Sequence, residues 1–243
     1  MKGVILGIAP DAALVDLTHD VPPQDVRAAA HLLAGAAPHF PPGTIHLVVV
    51  DPGVGTRRRA LVVESTQALF VAPDNGLLSF AVAARAAVAT TDVSRSPVRR
   101  VPMSRTFHGR DLFAPVAAHL ALGVPAARLG RPTSGMRRLR RVPVRRVGRA
   151  LVGRVLWADR FGNLATNVSA ADLAAAGAFR GRGVSVTIDH HVLSLRGSYA
   201  DVPVGRAVAL VNSADLLEIA VHRGSAATAL GLGPGARVVV RPR

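Results

Sequence analysis

The stretch Val48-Val49-Val50-Asp51-Pro52-Gly53-Val54-Gly55-Thr56-Arg57-Arg58-Arg59 constrains this chain more than any other. A run of β-branched residues reads as a buried strand, and it empties into a turn built on a proline and two glycines. Pro52 cannot continue a ladder, while Gly53 and Gly55 allow a tight turn or a close approach of backbone to a ligand. In open α/β sheets ligands sit just beyond the carboxyl ends of strands. Three adjacent arginines alone would read as a solvated basic face. Asp51, the first residue after a buried strand, makes the turn one wall of an active site.

Composition narrows the class. At 243 residues the chain has material for one large or two modest domains. Although 49% of it is apolar, no uninterrupted run approaches the roughly 20 residues of a membrane span. It shows no leader-like start, so a soluble cytoplasmic protein is the expectation. Without cysteine, thiolate chemistry and cysteine-held metal are excluded. The net charge of +15 suggests a polyanion partner. All but one of the basic residues are arginines, however, which points to coding bias. The densest cluster (Arg137, Arg138, Arg140, Arg141, Arg145, Arg146 and Arg149) lacks the interleaved aromatics on which bases stack. A solvated interdomain segment is expected there, and a nucleic-acid partner is not.

Along the chain, Met1 to Ile8 reads as the remainder of a helix, and Ala13–Leu17 as a short strand. Asp25 is placed to cap a helix through Ala36. Strands are expected over Thr44–Val50, Ala60–Glu64 and Leu69–Ala72, with helices over Leu77–Ala89 and Leu112–Leu122. After the arginine cluster come short strand-like runs (Leu151–Trp157, Val184–Ile188, Ala207–Val211, Leu216–Val221, Arg237–Val240) and one helix capped by Ser169 with Asp172 in a capping box. The expected organisation is an α/β domain over 1–136, a basic linker over 137–148 and a β-rich domain, barrel or sandwich, over 149–243.

Five ordered motifs then resemble one family. They are Asp51-Pro52-Gly53-Val54-Gly55-Thr56 with Arg58; Pro73-Asp74-Asn75-Gly76-Leu77-Leu78; Thr106-Phe107-His108-Gly109-Arg110-Asp111; Asp159-Arg160-Phe161-Gly162-Asn163 with Thr166-Asn167; and Asn212-Ser213 leading to Leu217-Glu218-Ile219-Ala220. The chain resembles the S-adenosyl-L-methionine hydrolases (hydroxide adenosyltransferases), relatives of the fluorinase and chlorinase, over nearly its whole length. The resemblance implies an N-terminal α/β sandwich with a mostly parallel sheet and a smaller C-terminal β-barrel-like domain. It also implies a homotrimer with sites between subunits, no cofactor, no metal, and hydrolysis of S-adenosyl-L-methionine to adenosine and L-methionine. It places the water-handling set on Asp51, Arg58 and His108. Substrate contacts fall on Asp159 (methionine ammonium), Asn163 (adenine edge), Tyr199 (adenine stacking) and Ser213 (methionine carboxylate), with Phe161 and Glu218 in the matched motifs. Ala214 stands where the fluorinase has an arginine, and His222 lies near the expected adenine edge.

The chemistry agrees with those residue types. The leaving group is a neutral thioether, so it needs neither an acid nor a metal; what the reaction needs is an aligned, partly desolvated nucleophile. A unit charge about 4 Å away contributes roughly 4 kcal/mol at an effective dielectric near 20, or about three pKa units. Two cations therefore fall short of the roughly nine units separating bulk water from neutrality. Proton removal concerted with attack is expected, with His108 receiving the proton, Arg58 stabilising hydroxide character and Asp51 holding water or histidine. A carboxylate at Asp51, where the halogenases carry an aromatic, favours water over a halide. Alternatives of other classes are a halogenase and a non-catalytic nucleoside- or polyanion-binding protein. Family members open with a further strand and an aspartate that grips the ribose, and Met1-Lys2-Gly3-Val4 aligns beyond it. A start assigned downstream of the natural one is the expectation, and an intact mass of the native protein decides it.

Overall fold

The computed structural model describes residues 1–83, 87–177 and 184–242. The chain divides into two compact units, Met1–Leu139 and Arg140–Arg243, and none of the helices among the described residues is long and apolar enough to cross a membrane.

The first unit runs α1 (Lys2–Ile8), α2 (Val26–Ala36), β1 (Thr44–Leu47), β2 (Ala60–Ser65), β3 (Ala68–Pro73), α3 (Ser79–Ala83), β4 (Ala87–Asp92), a π-helical turn (Gly109–Phe113), α4 (Ala114–Ala121), α5 (Ala126–Leu129) and β5 (Arg131–Pro132). Its sheet has the order β1-β3-β2-β4-β5. Side chains alternate across it: Leu61, Val63, Phe70 and Ala72 pack with α2 and α3 on one face, and Ala60, Val62 and Val71 pack with α4 and α5 on the other. Burial on both faces is why these strands are apolar nearly throughout. α2 begins where expected, because the Asp25 carboxylate accepts from Ala28 N at 2.9 Å.

The mostly parallel sheet is not what forms. Only β1–β3 is parallel; β2–β3, β2–β4 and β4–β5 are antiparallel. Two residues separate β2 from β3, a connection that permits a hairpin and forbids a parallel crossover. Two other expectations also fail, and a third holds with a shifted start. Ala13–Leu17 forms no strand. The helix expected over Leu77–Ala89 is limited to Ser79–Ala83, residues 84–86 of that span lie outside the described ones, and Ala87–Ala89 joins β4 because the edge of β2 pairs with it. The helix expected from Leu112 starts earlier, as the π-helical turn at Gly109.

The second unit runs β6 (Arg145–Val147), β7 (Ala150–Ala158), β8 (Leu164–Ser169), α6 (Ala170–Ala175), β9 (Val184–Ile188), β10 (His191–Ser194), β11 (Ala207–Val211), β12 (Leu216–Val221), α7 (Ala226–Leu230) and β13 (Arg237–Pro242). Its sheet is antiparallel in the order β10-β9-β13-β7-β8-β12-β11, with β6 also on β7. A bridge from Leu195, just past β10, to Ala209 of β11 brings the ends together, so the sheet is barrel-like and nearly closed. Inside lie Val155, Leu164, Leu173, Val186, Ile188, Leu217, Ile219, Val238 and Val240. The capping box of Ser169 and Asp172 opens α6 as the sequence indicated.

Candidate active site

In the first unit the turn after β1 is held from several sides. Val48 N donates to Val71 O at 3.0 Å, extending β1 toward Asp51. The Thr56 hydroxyl donates to Gly53 O at 2.7 Å, and Val54 N to Asp51 O at 3.2 Å. Asn75 Nδ2 donates to Val50 O at 2.8 Å, so the Pro73–Gly76 turn supports the strand end. Arg59 fastens the next residue outward, donating to Asp74 at 2.9 Å and to the Thr133 hydroxyl at 2.8 Å. Gly55 sits at φ +79°, and a Cβ there would lie 2.6 Å from the Arg105 carbonyl oxygen. Only glycine lets the Asp51 turn and the segment leading to His108 touch.

That contact brings three side chains together. Arg58 Nε donates to Asp51 Oδ1 at 2.9 Å and Oδ2 at 3.0 Å, and Nη2 also donates to Oδ2. The same Nη2 lies 2.9 Å from His108 Nδ1. The Arg58 and Asp51 side chains are 8% and 6% exposed, and His108 is buried. Phe113 closes one side, with its ring centroid 5.2 Å from the Arg58 guanidinium carbon. Asp51, Arg58 and His108, separated by up to 57 positions in sequence, thus form one buried chain with the guanidinium in the middle.

The tautomer follows from the donors. Arginine has no acceptor, so His108 Nδ1 accepts and the neutral ring carries its proton on Nε2. Burial and then the Arg58 charge lower the His108 pKa below its ordinary value of 6.5, against the opposing pull of Asp51 and Asp111. A neutral ring with Nδ1 engaged and Nε2 protonated offers no lone pair. The expectation that His108 receives the proton is therefore revised. Asp51 keeps acceptor capacity: a carboxylate has about four lone-pair sites, and Arg58 occupies three of them, leaving one on Oδ1.

Sequence reasoning missed Asp111. It is fully buried and takes Arg110 Nε at 2.6 Å, Arg110 Nη2 at 2.9 Å and Ser104 N at 2.8 Å. The Arg110 hydrogen bond pulls its pKa down to about 2. Asp111 ties the irregular segment before His108 to the π-helical turn after it. Its sequence signal was its place at the end of the Thr106–Asp111 motif, beside Arg110.

The second unit holds the other expected residues in two groups. Asp159 Oδ1 accepts from Phe161 N at 2.9 Å and Asn163 N at 2.8 Å, while Oδ2 accepts from Asn163 Nδ2 at 3.0 Å. Phe161 is 74% exposed. Gly162 requires its glycine: at φ +82° a Cβ would lie 2.0 Å from the Ser225 hydroxyl oxygen. In the other group, Tyr199 Oη donates to Glu218 Oε1 at 2.8 Å and Asn212 Nδ2 to Oε2 at 2.9 Å. Ser213 is exposed on the turn between β11 and β12. His222 Nδ1 donates to Val202 O at 2.7 Å. Among the described residues no group of three or more His, Asp or Glu could hold a metal ion.

A three-layer α/β unit with a buried Asp–Arg–His chain at a strand end, followed by a barrel-like β unit displaying Asp–Asn and Tyr–Glu–Asn groups, defines the class of protein. Residues 1–130 match the SAM hydroxide adenosyltransferase N-terminal domain and residues 153–239 its C-terminal domain; the chain belongs to this family. It is 43% identical over 242 residues to the (R)-S-adenosyl-L-methionine hydrolase of Thermus thermophilus, spanning 97% of this chain and 90% of that protein. Identity to the hydrolase of the same name from Salinispora arenicola is 41%, over 96% and 88%. The fluorinase of Nocardia brasiliensis is 29% identical, over 99% and 90%. A crystal structure of an uncharacterized conserved protein from Thermotoga maritima superposes with a TM-score of 0.91 at 35% identity, covering 99% of this chain and 93% of that one.

Proposed function

We propose that this chain hydrolyses S-adenosyl-L-methionine to adenosine and L-methionine. The observation that carries the reading is the buried Asp51–Arg58–His108 chain in a protein 43% identical to an (R)-S-adenosyl-L-methionine hydrolase.

Water sits against the free Oδ1 site of Asp51 and the Nε2–H of His108, beside the Arg58 charge. Its oxygen attacks C5′ of the adenosyl group, the C5′–S bond breaks, and the electron pair goes to sulfur, which leaves as a neutral thioether. Once bonded to carbon, the attacking oxygen is cationic and strongly acidic, so a carboxylate suffices to take its proton. Asp51 is that acceptor, Arg58 holds the carboxylate and the imidazole in place, and His108 orients the water.

In the second unit Asp159 faces the methionine ammonium, Asn163 the adenine edge, Tyr199 the adenine plane and Ser213 the methionine carboxylate, with Phe161 covering the nucleoside and Glu218 behind Tyr199. A homotrimer, in which each site takes its water-handling residues from one subunit and its substrate contacts from the next, is part of this reading. The protein uses no cofactor.

Chromatography of the purified chain with each sulfonium epimer tests the reading: adenosine and methionine in equal amounts support it, and no turnover of either epimer refutes it. The buried Asp51 carboxylate repels halide, so saturating chloride leaves adenosine the product; a 5′-chlorinated nucleoside as main product would establish the halogenase reading instead.

A further inference from the structure

We propose that Glu218 is a positioning residue, one buried carboxylate that fixes both the ring of Tyr199 and the turn bearing Ser213. This rests on the reading above, in which those two residues face the substrate.

Glu218 lies in the middle of β12, opposite Leu210 of β11 and Ala165 of β8. Its neighbours Leu217 and Ile219 point into the main core. Glu218 therefore points to the other face, where Val208, Leu210 and Ala220 form a small cluster under Val202. It is only 4% exposed. A carboxylate there costs desolvation that an apolar residue would avoid, and both its oxygens take neutral donors, Tyr199 Oη–H and Asn212 Nδ2–H.

Each donor carries a segment. Asn212 Oδ1 accepts from Ala214 N at 3.0 Å and Leu216 N at 3.1 Å, so its side chain closes the turn on which Ser213 stands. On the other side, Asp201 accepts from Gly197 N, Ser198 N and the Ser198 hydroxyl and holds the backbone of the turn beginning at Tyr199. That leaves the ring itself to be fixed by its hydroxyl. Tyr199 is 42% exposed although its hydroxyl is engaged, so a face of the phenol stays open. Burial, then the Glu218 hydrogen bond and charge, and then the Asp159 charge push the Tyr199 hydroxyl up to about 12. One carboxylate thus binds the phenol and a second acts on it through its charge in a chain of net charge +15, an arrangement suited to a ligand carrying an ammonium and a sulfonium.

Tyr199 is the only tyrosine and Trp157 the only tryptophan. Tyrosinate absorbance therefore reads one group, and fluorescence of the buried Trp157 in the same unit reports whether that unit is intact. In Glu218→Gln the tyrosine titration moves from about 12 toward the ordinary value near 10 while Trp157 emission is unchanged. Losing a hydrogen bond to a charged group is worth roughly a factor of 10 or more. Glu218→Gln and Tyr199→Phe should therefore each raise the KM for S-adenosyl-L-methionine, and the dissociation constant for adenosine alone, by about 10-fold. The double variant should be no worse than the worse single one, because both substitutions cut the same link. An unchanged tyrosine titration in Glu218→Gln, or additive effects in the double variant, overturns the proposal. If the wild type binds adenosine but turns over neither epimer, the hydrolase reading fails, and the titration and the adenosine affinities still decide the role of Glu218.

Discussion

In the proposed reaction Arg58 is the pivotal residue, because one guanidinium serves both a carboxylate and an imidazole. Lysine would keep the charge but not the fork that spans them. Arg58→Lys is expected to lower kcat by roughly 100-fold, the scale of a small misplacement of reacting groups, with a smaller effect on KM; steady-state kinetics checks this. His108 adds a pH dependence whose sign is fixed. Its pKa is lowered in the folded chain from 6.5, so around that pH the unfolded chain binds more protons. The neutral imidazole's contribution to stability is whole above 6.5 and is lost as the pH falls below it. Protonation at Nδ1 also sets an N–H against Arg58, so the acid limb of kcat should fall below 6.5 and midpoints of thermal unfolding should decline over the same window. A His108→Asn variant whose stability declines as steeply there would contradict the assignment.

At the scale of elements, two segments distant in sequence are locked by one glycine. Gly55→Ala meets both a left-handed backbone and the Arg105 carbonyl. Gly123, at φ +81° with open space around it, isolates the backbone part. Gly123→Ala should cost about 1–3 kcal/mol, and Gly55→Ala more than that together with a drop in kcat; denaturant titration and turnover of both variants check the difference. Local signals were legible in the sequence: the Asp25 cap, the capping box at Ser169, and strands 207–211 and 216–221 were read from residue types alone. The reading of Ala87–Ala89 as helix failed because alanine's helix propensity yields to an open strand edge on β2. Strand direction was misjudged because apolar runs record burial on both faces and say nothing of which neighbour pairs which way.

For the molecule as a whole, sequence showed which residue types matter and structure showed how they connect. The Asp51, Arg58 and His108 motifs were readable one by one. The guanidinium between them, and with it the histidine tautomer, was not, because Arg58 and His108 stand 50 positions apart. Glu218 was legible only as a member of a matched motif, and its positioning role was not, since its two donors come from separate turns. The central claim is that a water held by the Asp51–Arg58–His108 chain becomes the 5′-oxygen of adenosine. Turnover of S-adenosyl-L-methionine in oxygen-18 water, read by mass spectrometry of the product, tests it most directly. The account predicts adenosine carrying one labelled oxygen from the wild type and collapse of that product in Asp51→Ala; unlabelled adenosine, or labelled adenosine formed as fast by Asp51→Ala, would contradict it.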